Sequence, residues 1–288
     1  MIGTRKTDGP SYDVTVAQSK TLVANRGHAR LVGERWPGPD PTVVLLHAGV
    51  TDRRSWQAVV GGLDGRASVT SCDRRGFGET AASTESFSRK EDLLAVLDEV
   101  TRGPVWLVGS SAGGGIALDT AVAAPERVVG LVLLAPDVNG EPAPELDPST
   151  AHLDRLLDQP IEVGDLDEMN RLEAWLWLDG PGQPEGRVGG PVRRLFLEMY
   201  SILLGNAVPE GAGASGIDSV SQLHQVSTPV IVACGDFDLS FVVEQSRELA
   251  QRAFSVDPRR GPPAATRKSH CRCRPHRRRP RQLELRVL

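Results

Sequence analysis

Short runs of β-branched and aliphatic residues recur along the chain, separated by longer stretches with helical spacing, and each run ends in a turn signal. Runs that are apolar at successive positions belong to strands covered on both faces, the condition of a parallel sheet. Five such strands are predicted, at Thr42–Leu46, Ala67–Cys72, Pro104–Val108, Val128–Leu134 and Pro229–Cys234. Between them, residues 89–100 place Leu93, Leu94 and Leu97 on one helix face, residues 114–124 form a small-residue helix stopped by Pro125, and residues 244–254 form an amphipathic helix. Before Thr42 the pattern is weaker and suits two or three antiparallel strands. Strands alternating with helices predict the α/β class, with a mostly parallel central sheet flanked by helices.

The alternation breaks over about residues 138–222. That interval opens acidic and rich in Pro and Gly, then offers two helical stretches, Leu172–Leu178 and Val192–Tyr200. We expect a helical cap inserted into a main domain of residues 1–256. Leu172, Trp175 and Leu176 share a helix face and should pack onto that domain.

Charge adds one feature. The chain has 288 residues and a net charge of -4, but residues 257–288 hold ten Arg and one Lys against Asp257 and Glu284. The remaining 256 residues then carry 22 basic and 35 acidic side chains, a net -13. A body this acidic does not attract nucleic acid by its field; only the tail could. The tail offers almost nothing apolar before Leu283, so neither a core strand nor a packed helix fits it, and disorder is expected. Its Arg-, Pro- and Cys-rich composition reads as a GC-rich gene translated out of frame, in preference to a genuine basic tail that binds nucleic acid. If the last strand is missing, the strand at 229–234 becomes an exposed sheet edge, and poor solubility should follow.

No run of about 18 apolar residues and no export signal is present, so a cytoplasmic protein without a membrane partner is expected. Four cysteines are too few for a disulfide framework, and Cys72 and Cys234 read as reduced packing residues. The cluster from His270 through Cys271 and Cys273 to His276 matches no common zinc spacing. No metal or organic cofactor is implied.

The chemistry-bearing signal is Gly109-Ser110-Ser111-Ala112-Gly113, lying between a predicted strand and a small-residue helix. A nucleophile presented on a sharp strand-to-helix turn needs residues without side chains two positions to either side, where strand and helix nearly touch. Gly109 and Gly113 satisfy this around Ser111, whereas Ser110 would be flanked by Val108 and Ala112. A phosphate loop lacks its Gly-Lys-Ser/Thr, and the glycine spacing does not suit a dinucleotide fingerprint.

Together with His47-Ala-Gly-Val50 and Asp73-Arg-Arg-Gly-Phe-Gly-Glu-Thr80, this elbow makes residues of about 25–256 resemble the α/β-hydrolase family. The resemblance implies a Ser111 nucleophile, an oxyanion hole from the N–H groups of Gly49 and Ala112, and a structural role for His47. It also implies an acid and then a histidine downstream. Gly235-Asp-Phe-Asp-Leu239 selects Asp238 as the acid, with Asp236 as its neighbour, Asp137 as runner-up and Asp73 as a further alternative. His270, 32 residues after Asp238, falls near the family's place for the base, although Ser269 and Cys271 do not match its loop; His276 is further off. The implied function is a serine hydrolase of a small ester, lactone or thioester working through an acyl-enzyme. The alternative is an impaired member without a placed base, acting as a small-ligand binder. Oligomeric state is not legible.

Overall fold

The computed structural model describes residues 18–206, 213–215 and 217–254; the tail and both of its histidines lie outside the described residues. Nine strands occur among the described residues, in chain order: β1 Lys20–Arg26, β2 Ala29–Trp36, β3 Thr42–Leu46, β4 Ser68–Cys72, β5 Ser86–Ser88, β6 Val105–Ser110, β7 Val128–Leu134, β8 Gly213–Ser215 and β9 Val230–Ala233. Seven of them form one sheet in the order β1-β2-β4-β3-β6-β7-β9. β1, β2 and β4 pair antiparallel, and every pair from β4 to β9 is parallel. The predicted α/β class and all five predicted sheet strands are present, and the weak N-terminal pattern is the β1-β2 hairpin.

The helices are α1 Gln57–Leu63, α2 Arg89–Val100, α3 Ala112–Ala123, α4 Pro148–Val163, α5 Leu166–Ala174, α6 Gly190–Gly205, α7 Ser219–Gln222 and α8 Ser240–Phe254. Two layers of them explain why the strands are apolar throughout. On β3, Val44 and Leu46 point into a core shared with Leu97 of α2, Ile116 and Leu118 of α3, Leu107 and Leu131. The intervening Leu45 points the other way, against Trp36, Trp56, Val60 and Val69. Period-2 alternation thus delivers apolar side chains to two separate cores, each buried Leu or Val contributing about 1.5–3 kcal/mol.

Several elements differ from expectation. Helix α3 begins at Ala112 rather than Gly114, because the turn after β6 enters the helix directly. Helix α4 is unpredicted: its polar sequence hides a stripe of Thr150, Leu153, Leu157 and Pro160. Asp147 starts that helix by accepting from the N–H groups of Ser149 and Thr150, with Pro148 in the first turn. The short parallel pair β5-β8 is also unpredicted and joins residues 86–88 to 213–215. Leu172 and Leu176 are buried as expected; after Ala174 the helix widens into a π-turn at Trp175–Asp179. Leu176 and Trp175 pack with Leu153 of α4 and with Leu239, Phe241 and Val242 at the start of α8. Cys72 is buried, Cys234 is half-buried, and neither is in a disulfide. No helix among the described residues is long and apolar enough to cross a membrane.

Among the described residues β9 pairs only with β7, and Ile231 on it is 54% exposed. An apolar side chain on an outer strand favours edge-to-edge association. Ile231→Lys should therefore cut the aggregated fraction in light scattering by roughly twofold or more. Its melting temperature should stay within roughly 2 °C of the parent; unchanged aggregation would separate insolubility from this strand.

Candidate functional site

Four loops converge at the carboxyl ends of adjacent parallel strands, where open α/β sheets place their ligands. They follow β3 (His47-Ala48-Gly49), β6 (Ser111-Ala112), β7 (Ala135-Pro136-Asp137) and β9 (Gly235–Asp238). The bend after β6 falls on Ser111, at φ 49° and ψ -120°, while Ser110 is still a strand residue opposite Leu134. This is a left-handed conformation for a residue with a Cβ and costs on the order of 1–3 kcal/mol.

Backbone hydrogen bonds hold the bend in place. Ser111 N donates to Leu134 O at 2.9 Å, and Ser111 O accepts from Gly114 N at 2.8 Å, Gly115 N at 3.1 Å and Asp137 N at 3.1 Å. The glycines permit the approach that makes these bonds. A Cβ on Gly109 would lie 2.6 Å from Gly114 N, one on Gly113 2.7 Å from His47 O, and one on Gly114 2.9 Å from the Pro136 Cβ. The first turn of α3 therefore rests on β3, β6 and the loop after β7 with no room for a methyl group.

The same approach brings Gly49 beside Ala112: a Cβ on Gly49 would lie 3.9 Å from that of Ala112. Ala112 is the first residue of α3, where the N–H has no acceptor within the helix and the helix dipole is positive. Gly49, Ala112 and Asp137 all line a cavity of about 430 Å³, which Arg74, Phe77 and Ile116 help to enclose. Ser111 and Asp238 are half-buried and are not among its lining residues.

His47 is fully buried. Its Nε2 accepts from Arg74 N at 3.1 Å, so Nδ1 carries the proton and donates to Ala48 O at 2.9 Å. Burial, reinforced by Arg74, pushes its pKa well below 6.5. A neutral ring with both nitrogens engaged orients the Gly49 loop and has no site left for a serine proton. Asp73 is likewise committed: it accepts from Arg53 N at 2.8 Å and Glu79 N at 2.9 Å and pairs with the Arg53 guanidinium.

Asp238 differs. Among the described residues its carboxylate accepts only from Leu239 N, at 3.0 Å, and burial raises its pKa. It follows β9, two strands from Ser111, or roughly 10 Å across the sheet. Asp236 is exposed, and Asp137, one strand from Ser111, is an exposed side chain on the cavity. No imidazole is hydrogen-bonded to the Ser111 hydroxyl among the described residues, and His270 and His276 lie outside them. The cavity's Arg74 enters the sequence analysis only as one residue of the Asp73–Thr80 motif.

Residues 43–283 match the model of the alpha/beta hydrolase family, and the chain belongs to it. It is 27% identical to a protein of Bacillus subtilis assigned as 2-succinyl-6-hydroxy-2,4-cyclohexadiene-1-carboxylate synthase, over 83% of this chain and 90% of that one. Identity is 33% to the pimeloyl-[acyl-carrier protein] methyl ester esterase of Vibrio campbellii, over 52% of this chain and 57% of the relative. A hydrolase structure from Pseudomonas aeruginosa superposes with a TM-score of 0.59 at 21% identity, covering 81% of this chain and 86% of that one. For other curated relatives that it matches, the chain spans only 17–18% of their length. Family and fold define a member of the alpha/beta hydrolase family.

Two outcomes follow from this geometry. Gly113→Ala should cost about 3 kcal/mol or more, because backbone blocks the new methyl, whereas Gly49→Ala should change stability by less than about 0.5 kcal/mol; urea unfolding measures both. For His47 the folded pKa is depressed, so below about 6.5 the unfolded chain gains a proton that the folded one refuses. Its contribution to stability is therefore lost as pH falls, by up to about 1.4 kcal/mol per unit. Ring nitrogen shifts in NMR should report a neutral Nδ1–H imidazole at about pH 5.5, one unit below the unperturbed value; titration near 6.5 would contradict this burial.

Proposed function

We propose that the protein hydrolyses a small carboxylic ester, lactone or thioester through an acyl-enzyme on Ser111. The Ser111 Oγ attacks the carbonyl carbon, and its proton passes to a histidine base, which we assign to His270 and which Asp238 orients. The C–O or C–S bond breaks, the base returns the proton to the leaving group, and a water molecule releases the acid by the same route. The N–H groups of Gly49 and Ala112 hold the oxyanion, charge that exists only in the transition state; one such donor contributes about 3 kcal/mol.

The observation that carries this reading is the bend at Ser111, a left-handed residue pinned by four backbone hydrogen bonds beside Gly49 and Ala112. Strain of this kind persists where the surroundings over-determine it, and it supports the reading of Ser111 as a presented nucleophile. The poorly partnered, half-buried Asp238 carboxylate supports its choice as the acid. The insertion of about 138–222 selects the substrate in this reading: Leu203 and Asn206 line the cavity, and Asn206 donates to Gly76 O at 3.0 Å.

A fluorophosphonate probe tests the nucleophile. Folded protein should label, Ser111→Ala should abolish labelling, and Asp238→Asn and His270→Ala should each lower ester turnover by about 10²-fold or more. Unlabelled but folded protein would leave the cleft as a binding site for a small ligand, and full turnover in His270→Ala would remove that residue from the mechanism.

A further inference from the structure

Several guanidinium groups packed into this fold are matched to carboxylates. Arg53 pairs with Asp73. Arg75 meets Asp92 through two bonds of 2.8 Å and Glu85 through one of 2.5 Å. Arg193 meets Asp179 at 2.7 Å. Arg74, which lines the cavity, has no carboxylate within ion-pairing distance among the described residues. Its Nη2 donates to Ala48 O at 2.7 Å and its guanidinium carbon stands 4.3 Å above the Phe77 ring, while its Nε is buried with no partner.

An unpaired cation that is largely withdrawn from water is expensive, and the cost is visible in its ionisation: burial first and the nearby Arg89 second, opposed by Asp137, together bring the Arg74 pKa down to about 9. Arg89 also lines the cavity, is exposed and forms no ion pair among the described residues. It is the first residue of α2, where a cation works against the helix dipole. Of the three carboxylates on the cavity, Asp73 is paired with Arg53 and Asp92 with Arg75, which leaves Asp137 against the two cations Arg74 and Arg89 and a positive site with an unsatisfied donor. An apolar part of the wall comes from Leu31, Leu46, Phe87, Leu93, Val96 and Ile116.

We propose that the cavity takes an ester whose acyl chain ends in a carboxylate, with the apolar chain along this wall and the carboxylate on the Arg74 guanidinium, aided by the charge of Arg89. Arg74 holds Ala48, the residue before Gly49, so the anchored end and the oxyanion position are tied to one loop. The planar fork of arginine is the donor geometry that a carboxylate fits. This specificity rests on the hydrolase reading for turnover, while the binding site itself does not.

The test compares monomethyl adipate with methyl hexanoate, which share a chain length and differ in the terminal carboxylate. Turnover is followed by proton release in the full-length protein, and binding by calorimetry in Ser111→Ala. The parent should favour monomethyl adipate by at least about tenfold in kcat/KM, one good charge-assisted contact. The preference should fall as salt is raised. Arg74→Gln should bring the ratio close to one; because a ratio is read, damage to the Ala48 loop, which would slow both esters, does not imitate this. Equal or inverted preference in the parent overturns the proposal without any variant, and so does a ratio that survives in folded Arg74→Gln. If neither ester is turned over but Ser111→Ala binds monomethyl adipate at least tenfold more tightly than its Arg74→Gln double variant, the hydrolytic reading fails and the carboxylate site stands.

Discussion

The spacing between the first turn of α3 and the strands beneath it governs the rest of this molecule. Gly109, Gly113 and Gly114 let backbone meet backbone where any Cβ would collide with a carbonyl, an amide or Pro136. That contact forces the chain to reverse direction within one residue at Ser111, and the reversal is what gives Ser111 its positive φ. It also seats Ala112 against Gly49 on the neighbouring strand's loop. Strain at one residue is offset by four backbone hydrogen bonds and by a helix whose residues from Gly113 to Ala121 are all buried. Small residues would be poor material for an isolated helix core; here they are what allows the helix to sit deep enough for its N-terminus to face the site.

The turn from Asp73 to Thr80 is the second organising feature, and it works by charge. Asp73 gathers Arg53 and two backbone amides, Arg75 ties the turn to α2 and β5, and Thr80 Oγ1 accepts from Val32 N at 2.8 Å. Breaking one member would leave a buried charge uncompensated, so the network specifies one arrangement even where its net stabilisation is small. Arg74 lies inside this network, yet among the described residues its side chain meets only the Ala48 carbonyl and the Phe77 ring. Its neighbours have used the available carboxylates, and its side chain faces the cavity instead.

Much of the fold was legible because burial on both faces writes itself directly into sequence. Residues such as Val44, Leu45 and Leu46 are apolar in succession, and no other environment calls for that. The elbow was legible because glycine at two fixed offsets has a steric cause. Helix α4 was not, since its buried stripe of four residues is diluted by Asp, Arg and Gln on an exposed face, and its first turn begins with Asp-Pro, which equally marks a loop. The pairing of β5 with β8 involves three residues on each side and a sequence separation beyond 120 residues, too short and too distant to leave a periodic signal. Within the site, the Arg74-Arg75 doublet gave no hint of which arginine would be paired, because the carboxylates that Arg75 meets, Asp92 of α2 and Glu85 just before β5, are brought to it only by the fold.

The insertion and the loop carrying Asp238 form one mechanical unit. Leu239, the next residue, is buried with Leu153 of α4 and Leu176 of the π-turn, and Ser240 Oγ donates to the Asp147 carboxylate at 2.9 Å. Gly180 lies so close to the Phe237 carbonyl that it admits no side chain, and the Arg187 guanidinium stacks at 5.0 Å on the Phe237 ring. Residues on both sides of Asp238 are therefore positioned by side chains of the insertion rather than by β9 alone, whose last residue is Ala233. The Ser111 side is built differently, from backbone contacts internal to the sheet and α3. One half of the candidate constellation is thus rigid by covalent and steric necessity, and the other half depends on how α4 and the π-turn pack. Changes of sequence in the insertion can move the carboxylate without touching the serine, which gives this fold a route to alter what it accepts while the bend at Ser111 stays as it is.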